Sequence, residues 1–356
     1  MISLTLWTMP RDLPGDSLRR WVPRWWRGEA GAAGEALGWL LLPAEAGYRV
    51  AVAGRGMLYD AGLRPVRTSA IPVISVGNLT VGGTGKTPMG AFIAGKLCHL
   101  GRLPGVVLRG YGRDEIEVHR ELNPGVPVYV SAHRADGVRA AAGEGCDCAV
   151  LDDAFQHRAL ARDLDVVLVA AEQWAGPRRM LPRGPWRESS GALDRADFVV
   201  VTRKVASTAE ASAVRAEIVE MGHDAFVGVA LLRSASLVSL DGEWAGAKPL
   251  EALRESRVLA VSSLADPVSF AGQLDALALD VELMAFPDHH EFTPGDIARI
   301  TQVAARRTVV MTRKEAVKLR GRLQAVEALV LEQEVDVEVG LEELDRALQQ
   351  AVEGAR

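Results

Sequence analysis

Thr80-Val81-Gly82-Gly83-Thr84-Gly85-Lys86-Thr87 is the stretch whose residue types and spacing most directly imply chemistry. It follows the apolar run Ile71–Val76 and opens a helical pattern over Thr87–Leu100 that Gly101 closes. A glycine-rich turn between strand and helix offers successive backbone N–H groups to an anion, and the helix N-terminus adds partial positive charge. In that frame Lys86 reaches the β- and γ-phosphates of a nucleotide, and Thr87 offers its hydroxyl to Mg2+. Pro88 is compatible, because a first-turn residue has no intrahelical partner for its N–H. Lys86 is one of six lysines among 41 basic residues, so a lysine kept here is informative in a chain that otherwise uses arginine. Thr80 stands where such loops usually begin with glycine. Val81 stands where membrane-associated partitioning ATPases carry a second lysine, which argues against that class.

Three other groups of side chains invite a chemical reading. Val150-Leu151-Asp152-Asp153 ends an apolar strand with two carboxylates. Beside a phosphate loop such an Asp coordinates or orients Mg2+; taken alone it is a strand-end turn. Asp114-Glu115, after Arg109-Gly110-Tyr111-Gly112-Arg113, reads by itself as a solvated loop. Asp288-His289-His290 places two histidines side by side, where they point apart, and no third ligand is spaced for a metal. One histidine acting on a proton or a carboxylate fits better. His157, just past the Asp pair, is equally readable as structural or functional, and Cys146-Asp147-Cys148 reads as core.

Around these residues the pattern alternates strand-length apolar runs with helical stretches, as in a mostly parallel α/β sheet. The runs are Ile71–Val76, Gly105–Leu108, Val126–Val130, Cys148–Leu151, Asp165–Ala170 and Asp197–Thr202. Phe226–Arg233 and Ser236–Leu240 read as extended connectors, with a turn at Asp241-Gly242. A second α/β block follows, with strands at Arg257–Ser262, Val281–Ala285 and Thr308–Thr312 and helices at Pro267–Leu277 and Pro294–Ala305. The expected organisation is a leader over 1–70, a phosphate-loop domain over 71–225, a linker over 226–244, a smaller domain over 245–340 and a terminal helix over 341–356.

The 356 residues carry a net charge of −5, which implies no general nucleic-acid affinity. Three cysteines, Cys98, Cys146 and Cys148, are too few and too odd for a disulfide framework. No apolar run is long enough to span a bilayer. The leader interleaves Trp21, Trp25 and Trp26 with Arg19, Arg20, Arg24 and Arg27, and the apolar stretch Leu37–Leu42 follows. Trp favours the headgroup level, and each Arg gains about 1 kcal/mol near anionic lipid, so this segment is expected to lie in a membrane interface; the alternative is an N-terminal arm packed on the first domain.

Taken together the motifs resemble one family, the tetraacyldisaccharide 4′-kinases of lipid A biosynthesis. The resemblance rests on Pro72–Pro88, Arg109–Gly112, Leu151–Arg158, Leu181–Glu188, Phe286–His290 and Val310–Lys318, in order along nearly the whole chain. Thr80 at the head of the loop is how this family writes it. The resemblance implies two α/β/α domains with mostly parallel sheets, the first like that of P-loop NTPases, joined by a short two-stranded linker. It implies transfer of the γ-phosphate of ATP, with Mg2+, to the 4′-hydroxyl of an acylated glucosamine disaccharide 1-phosphate. It implies a peripheral enzyme at the cytoplasmic face of the inner membrane, and no obligate protein partner is inferred. By position, Asp114 matches the family's base, Glu115 its acidic neighbour and His289 the base's partner. Asp152 and Asp153 match magnesium-side carboxylates, and Arg134, Arg187 and Glu188 match polar residues of the substrate cleft. The chain departs from the family in having only Arg113 between Arg-Gly-Tyr-Gly and Asp-Glu, Ala154 after the Asp pair, and Thr312-Arg313-Lys314-Glu315 for Thr-Glu-Lys-Asp. The rival reading is a phosphate-loop switch or metal-insertion chaperone, which would have no use for Asp288-His289.

Overall fold

The structure, a computed structural model, describes residues 21–22, 24–110, 112–242 and 246–354. The leader residues Trp7, Arg19 and Arg20, Tyr111 of the Arg-Gly-Tyr-Gly motif and the expected linker boundary at 244/245 lie outside the described residues. In chain order the elements are α1 (Gly31–Leu40), α2 (Leu42–Asp60), β1 (Val73–Asn78), α3 (Lys86–His99), β2 (Pro104–Leu108), α4 (Arg113–Leu122), β3 (Val128–Val130) and α5 (Arg134–Gly143). Then come β4 (Cys148–Asp152), β5 (Leu164–Ala170), α6 (Ala171–Trp174), β6 (Phe198–Arg203), α7 (Thr208–Glu220) and β7 (Phe226–Ser239). The rest are β8 (Arg257–Ser262), α8 (Pro267–Asp275), β9 (Asp280–Ala285), α9 (Pro294–Val303), β10 (Thr308–Met311), α10 (Arg313–Leu319), β11 (Ala328–Val339) and α11 (Leu341–Glu353). None of the helices among the described residues is long and apolar enough to cross a membrane.

The chain folds into two compact units. The larger holds residues 21–111, 119–231 and 335–356; the smaller holds 112–118 and 232–334. The terminal helix spans Leu341–Glu353, and the units divide at 231/232 and 334/335. The reason is that β7 and β11 are long unbroken strands, each of which contributes residues to both units.

In the larger unit the strand order is β3-β2-β4-β1-β5-β6-β7, and every pair is parallel. Its central strands read VISVGN, CAVLD and LDVVLVA and are buried end to end, as strands covered by helices on both faces must be. In the smaller unit the order is β7-β11-β10-β8-β9. Successive residues of β8 serve opposite faces there. Leu259 and Val261 join a core with Ile300 of α9 and Ala316 and Leu319 of α10. Val258 and Ala260 join another with Phe270 and Leu274 of α8. The two-residue period of a strand thus builds a helix–sheet–helix sandwich.

From residue 31 the leader forms two helices, and Trp25 and Trp26 are used for packing. Trp25 is buried and donates Nε1–H to the Gly34 carbonyl at 2.6 Å. Trp21 stacks on Trp25, with ring centroids 5.6 Å apart, and Trp26 Nε1 donates to the Pro182 carbonyl at 3.1 Å. Buried Glu45 of α2 accepts from the Met180 amide at 2.9 Å and from Arg183 at 2.7 Å. Tyr48 donates to the Arg187 carbonyl at 3.1 Å. Trp39, Leu40, Val50, Met57 and Leu63 are exposed, alongside charged residues such as Arg49 and Arg55.

Candidate active site

The phosphate loop leaves the carboxyl end of β1 and runs into α3. Gly82 (φ 137°) and Gly85 (φ 90°) occupy backbone conformations that a side chain resists. The loop's shape is held from outside. Asn78 donates to Thr84 Oγ1 at 2.8 Å, Thr202 Oγ1 to the Thr84 carbonyl at 2.9 Å, and Lys204 Nζ to the Gly83 carbonyl at 2.6 Å. Thr80 has a clear use: its buried hydroxyl donates to Gln173 Oε1 at 3.0 Å, a tether that glycine could not supply. At Gly77 a Cβ would lie 2.7 Å from the Phe155 amide nitrogen, so the segment after the Asp pair passes directly over β1.

The β1–β4 register sets Val76 beside Asp152, so the strand that ends in the loop and the strand that ends in the carboxylate are neighbours. Asp152 is buried. Its Oδ2 lies 3.4 Å from Thr87 Oγ1 and 3.1 Å from His119 Nε2, and its carbonyl accepts from Arg134 Nη2 at 2.8 Å. Asp153 turns the other way, with φ 49°. Arg187 Nη1 meets both its oxygens at 2.8 and 3.1 Å, and Lys86 Nζ lies 3.7 Å from Oδ1. A hydroxyl and a carboxylate this close form a hard-oxygen set that suits Mg2+, which takes few protein ligands and completes its shell with phosphate and water. Thr87 and Asp152 fit that ion. Asp153 is engaged by two cations.

The structure separates the remaining larger-unit residues by task. Arg134 is buried behind β4, and Glu188 is paired with Arg195 at 2.7 Å. His157 is partly buried, and its amide donates to the Ala154 carbonyl at 2.8 Å. Burial, followed by the nearby charges of Arg134, Arg162, Arg55 and Arg109, lowers its pKa to about 4, so it is neutral at physiological pH.

The smaller unit assembles a different cluster. Asp114 and Glu115 occupy the first turn of α4, where the sequence alone suggested a loop. Their carboxylates face the helix's positive end. Asp114 is buried, and His289 Nδ1 lies 3.0 and 3.1 Å from its two oxygens. Lys318 Nζ lies 3.1 Å from Oδ2, and Lys314 Nζ lies 3.4 Å from Glu115. Burial alone would raise the pKa of Asp114. The His289 hydrogen bond and the Lys318, His289 and Lys314 charges outweigh it and hold the carboxyl well below the usual carboxylate range. The bond to Asp114 raises His289, against burial. His289 sits at φ 56°, while His290 turns away to Asp296 at 3.0 Å and stacks on Phe286. A Cβ on Gly112 would lie 2.2 Å from Asp114 Oδ1 and 2.6 Å from His289 Nδ1, so any side chain there would displace the pair.

His119, Lys318, Asn78, Gln173, Thr202 and Lys204 are absent from the sequence-derived candidates. Lys318 and Lys204 had a visible signal, each as a lysine in an arginine-rich chain.

A model of the Tetraacyldisaccharide-1-P 4'-kinase family matches residues 37–123 and 118–353. A tetraacyldisaccharide 4'-kinase of Anaeromyxobacter dehalogenans (strain 2CP-C) is 42% identical over 331 residues, covering 85% of this chain and 86% of its own. One from Xanthomonas oryzae pv. oryzae (strain PXO99A) is 36% identical over 293 residues, covering 77% of this chain and 81% of its own. Among solved structures, the "apo" form of LpxK from Aquifex aeolicus in complex with ATP aligns with a TM-score of 0.69. It is 28% identical and covers 89% of this chain and 99% of that one. With the phosphate loop and the buried Asp–His pair both in place, the chain belongs to the tetraacyldisaccharide-1-phosphate 4′-kinase family.

Proposed function

We propose that this protein transfers the γ-phosphate of ATP to the 4′-hydroxyl of a tetraacyldisaccharide 1-phosphate, the phosphorylation step of lipid A biosynthesis that its family name describes. The observation that carries the reading is the Asp114–His289 pair. A nucleotide switch needs the loop but has no use for a buried, histidine-held carboxylate. Asp114 accepts the proton of the acceptor hydroxyl as the new O–P bond forms, and the bond from the γ-phosphorus to the β–γ bridging oxygen breaks to release ADP. Lys86 and the amides of Thr80–Thr87 offset the charge on the phosphates. Thr87 and Asp152 would hold Mg2+, which when bound would supply charge neutralisation to the phosphates. Arg187, Glu188, Glu115 and Arg134 belong to substrate recognition or its support. The full-length protein, ATP, Mg2+ and detergent-dispersed tetraacyldisaccharide 1-phosphate should give a lipid with one added phosphate by mass spectrometry. Acceptor-independent ATP hydrolysis without that product would favour the switch reading.

The same proposal places the protein at the cytoplasmic face of the inner membrane, where its acylated substrate resides. The support is the exposed apolar face of α1 and α2, with Trp39, Leu40 and Val50 each 72–75% exposed. Interfacial burial of such a face is the physics of a peripheral anchor. Replacing Leu40 and Met57 with glutamate should cut co-sedimentation with anionic vesicles several-fold while leaving ATP affinity unchanged. Unchanged co-sedimentation would move the contact elsewhere. Because Trp25 is buried and Trp26 is tied to Pro182, deleting 1–36 should lower thermal stability as well.

A further inference from the structure

We propose that Lys318 is a positioning residue for phosphoryl transfer: its ammonium, seated on Asp114, Ser263 and the His290 carbonyl, fixes the orientation in which the Asp114 carboxylate meets the acceptor hydroxyl. The inference rests on the kinase reading above. An ammonium carries three N–H donors. Lys318 Nζ finds three oxygens: Asp114 Oδ2 at 3.1 Å, Ser263 Oγ at 3.3 Å and the His290 carbonyl at 3.1 Å. Its side chain is only 8% exposed, so those partners must replace most of its water. Arginine, a planar fork, does not match acceptors spread in three directions, which accounts for a lysine in a chain rich in arginine.

The acceptors are themselves fixed. Buried Glu315 accepts from the Ser263 amide at 2.6 Å and from Ser263 Oγ at 3.0 Å, and it closes the capping box of α10 with Thr312. The Ser263 hydroxyl therefore gives its proton to Glu315 and turns a lone pair to Lys318. The His290 carbonyl belongs to the turn that holds His289 at φ 56°. One ammonium thus ties together the base, the turn carrying the base's partner, and the loop after β8. His289 Nδ1 bridges both Asp114 oxygens, so it does not by itself choose between them; Lys318 engages Oδ2 alone. Oδ1 is left as the oxygen that takes the acceptor proton.

The charged groups around Asp114 all bear on the test. His289 faces it from the turn after β9, with Asp288 and Glu115 beside the other side of that ring, and Lys318 and Lys314 act on it from α10. Lys318→Met removes one cation and leaves the others. In the full-length enzyme this variant should lower kcat by about tenfold or more, with KM for ATP within about twofold of wild type. The acidic limb of the kcat–pH profile should move to higher pH. The Asp114 carboxyl, followed by 13C NMR and assigned with Asp114→Asn, should titrate at least about one pH unit higher. Ser263→Ala, which removes one acceptor and keeps the charge, should lose less kcat in the same direction. This second variant keeps the test open if Lys318→Met fails to fold.

Wild-type kcat in both variants overturns the inference. A lower kcat with an unmoved acidic limb and an unmoved Asp114 titration also overturns it, because Lys318 would then serve stability alone. A wild-type protein that does not phosphorylate the lipid sinks the kinase reading. The Asp114 titration in Lys318→Met still decides whether Lys318 sets the state of that carboxylate, and an unchanged midpoint would reject it.

Discussion

Replacing Lys86 with alanine should lower kcat for lipid phosphorylation by about 10²-fold or more and leave the fold intact. Lys86 opens α3 at the end of the phosphate loop, where its ammonium can follow the charge that gathers on the transferred group. Interactions that strengthen only in the transition state appear in kcat, so the loss falls there more than in KM. The fold survives because the loop is held by Asn78, Thr202 and Lys204, and because Asp153 keeps Arg187 at 2.8 Å when Lys86 is gone. Steady-state kinetics beside a thermal melt check both halves. A folded variant with near-wild-type kcat would remove the loop from the reaction.

The second large effect belongs to the base. Asp114→Asn keeps the shape of the side chain and removes its capacity to take a proton, and general base help is typically worth about 10²–10⁴-fold. His289→Ala should also lower kcat, by releasing the carboxylate it bridges and by leaving alanine at φ 56°. His289→Asn is the informative variant. Its Nδ2 occupies the place of Nδ1, and asparagine tolerates left-handed backbone better than alanine, so it should recover part of the loss. Combining Asp114→Asn with His289→Ala should cost less than the product of the two single losses, because both act on one proton transfer. Strict multiplicativity would show that His289 works on something other than Asp114.

The loop was legible because its information is local: glycine, lysine and threonine at fixed spacing between a strand and a helix. The central strands were legible for a related reason. Strands covered on both faces are nearly continuous apolar runs, as in Val166–Ala170 and in Val73–Val76, where Ser75 is the one polar residue. The α4 helix was not legible. Its sequence RDEIEVHREL is mostly charged, and its apolar positions are few. Its acids at the start and its His119 and Arg120 at the end suit the helix dipole, a signal weak enough to be mistaken for a solvated loop. The break expected near Ser234 is absent from β7 because ladder hydrogen bonds come from the backbone and do not require an apolar side chain. Asp114 and His289 were paired only through the family resemblance. They stand 175 residues apart, and the Lys318 contact spans 204, beyond the reach of any local pattern.

Glu45 has a consequence for how the protein would present itself to a lipid sheet. Along a helix each residue turns about 100°. Counting from Glu45, Tyr48, Val52, Gly56 and Tyr59 fall on its own side, and Val50, Gly54, Met57 and Leu58 fall opposite. Rotating this buried carboxylate outward would leave the Met180 amide and the mostly buried Arg183 without their acceptor, so it acts as an index pin for the roll of α2. The segment it grips runs on to Arg187, whose amide donates to the Leu79 carbonyl at 2.7 Å, at the root of the phosphate loop. A flat apolar surface met by Val50 and Met57 would therefore set the heading of the nucleotide site along with the helix.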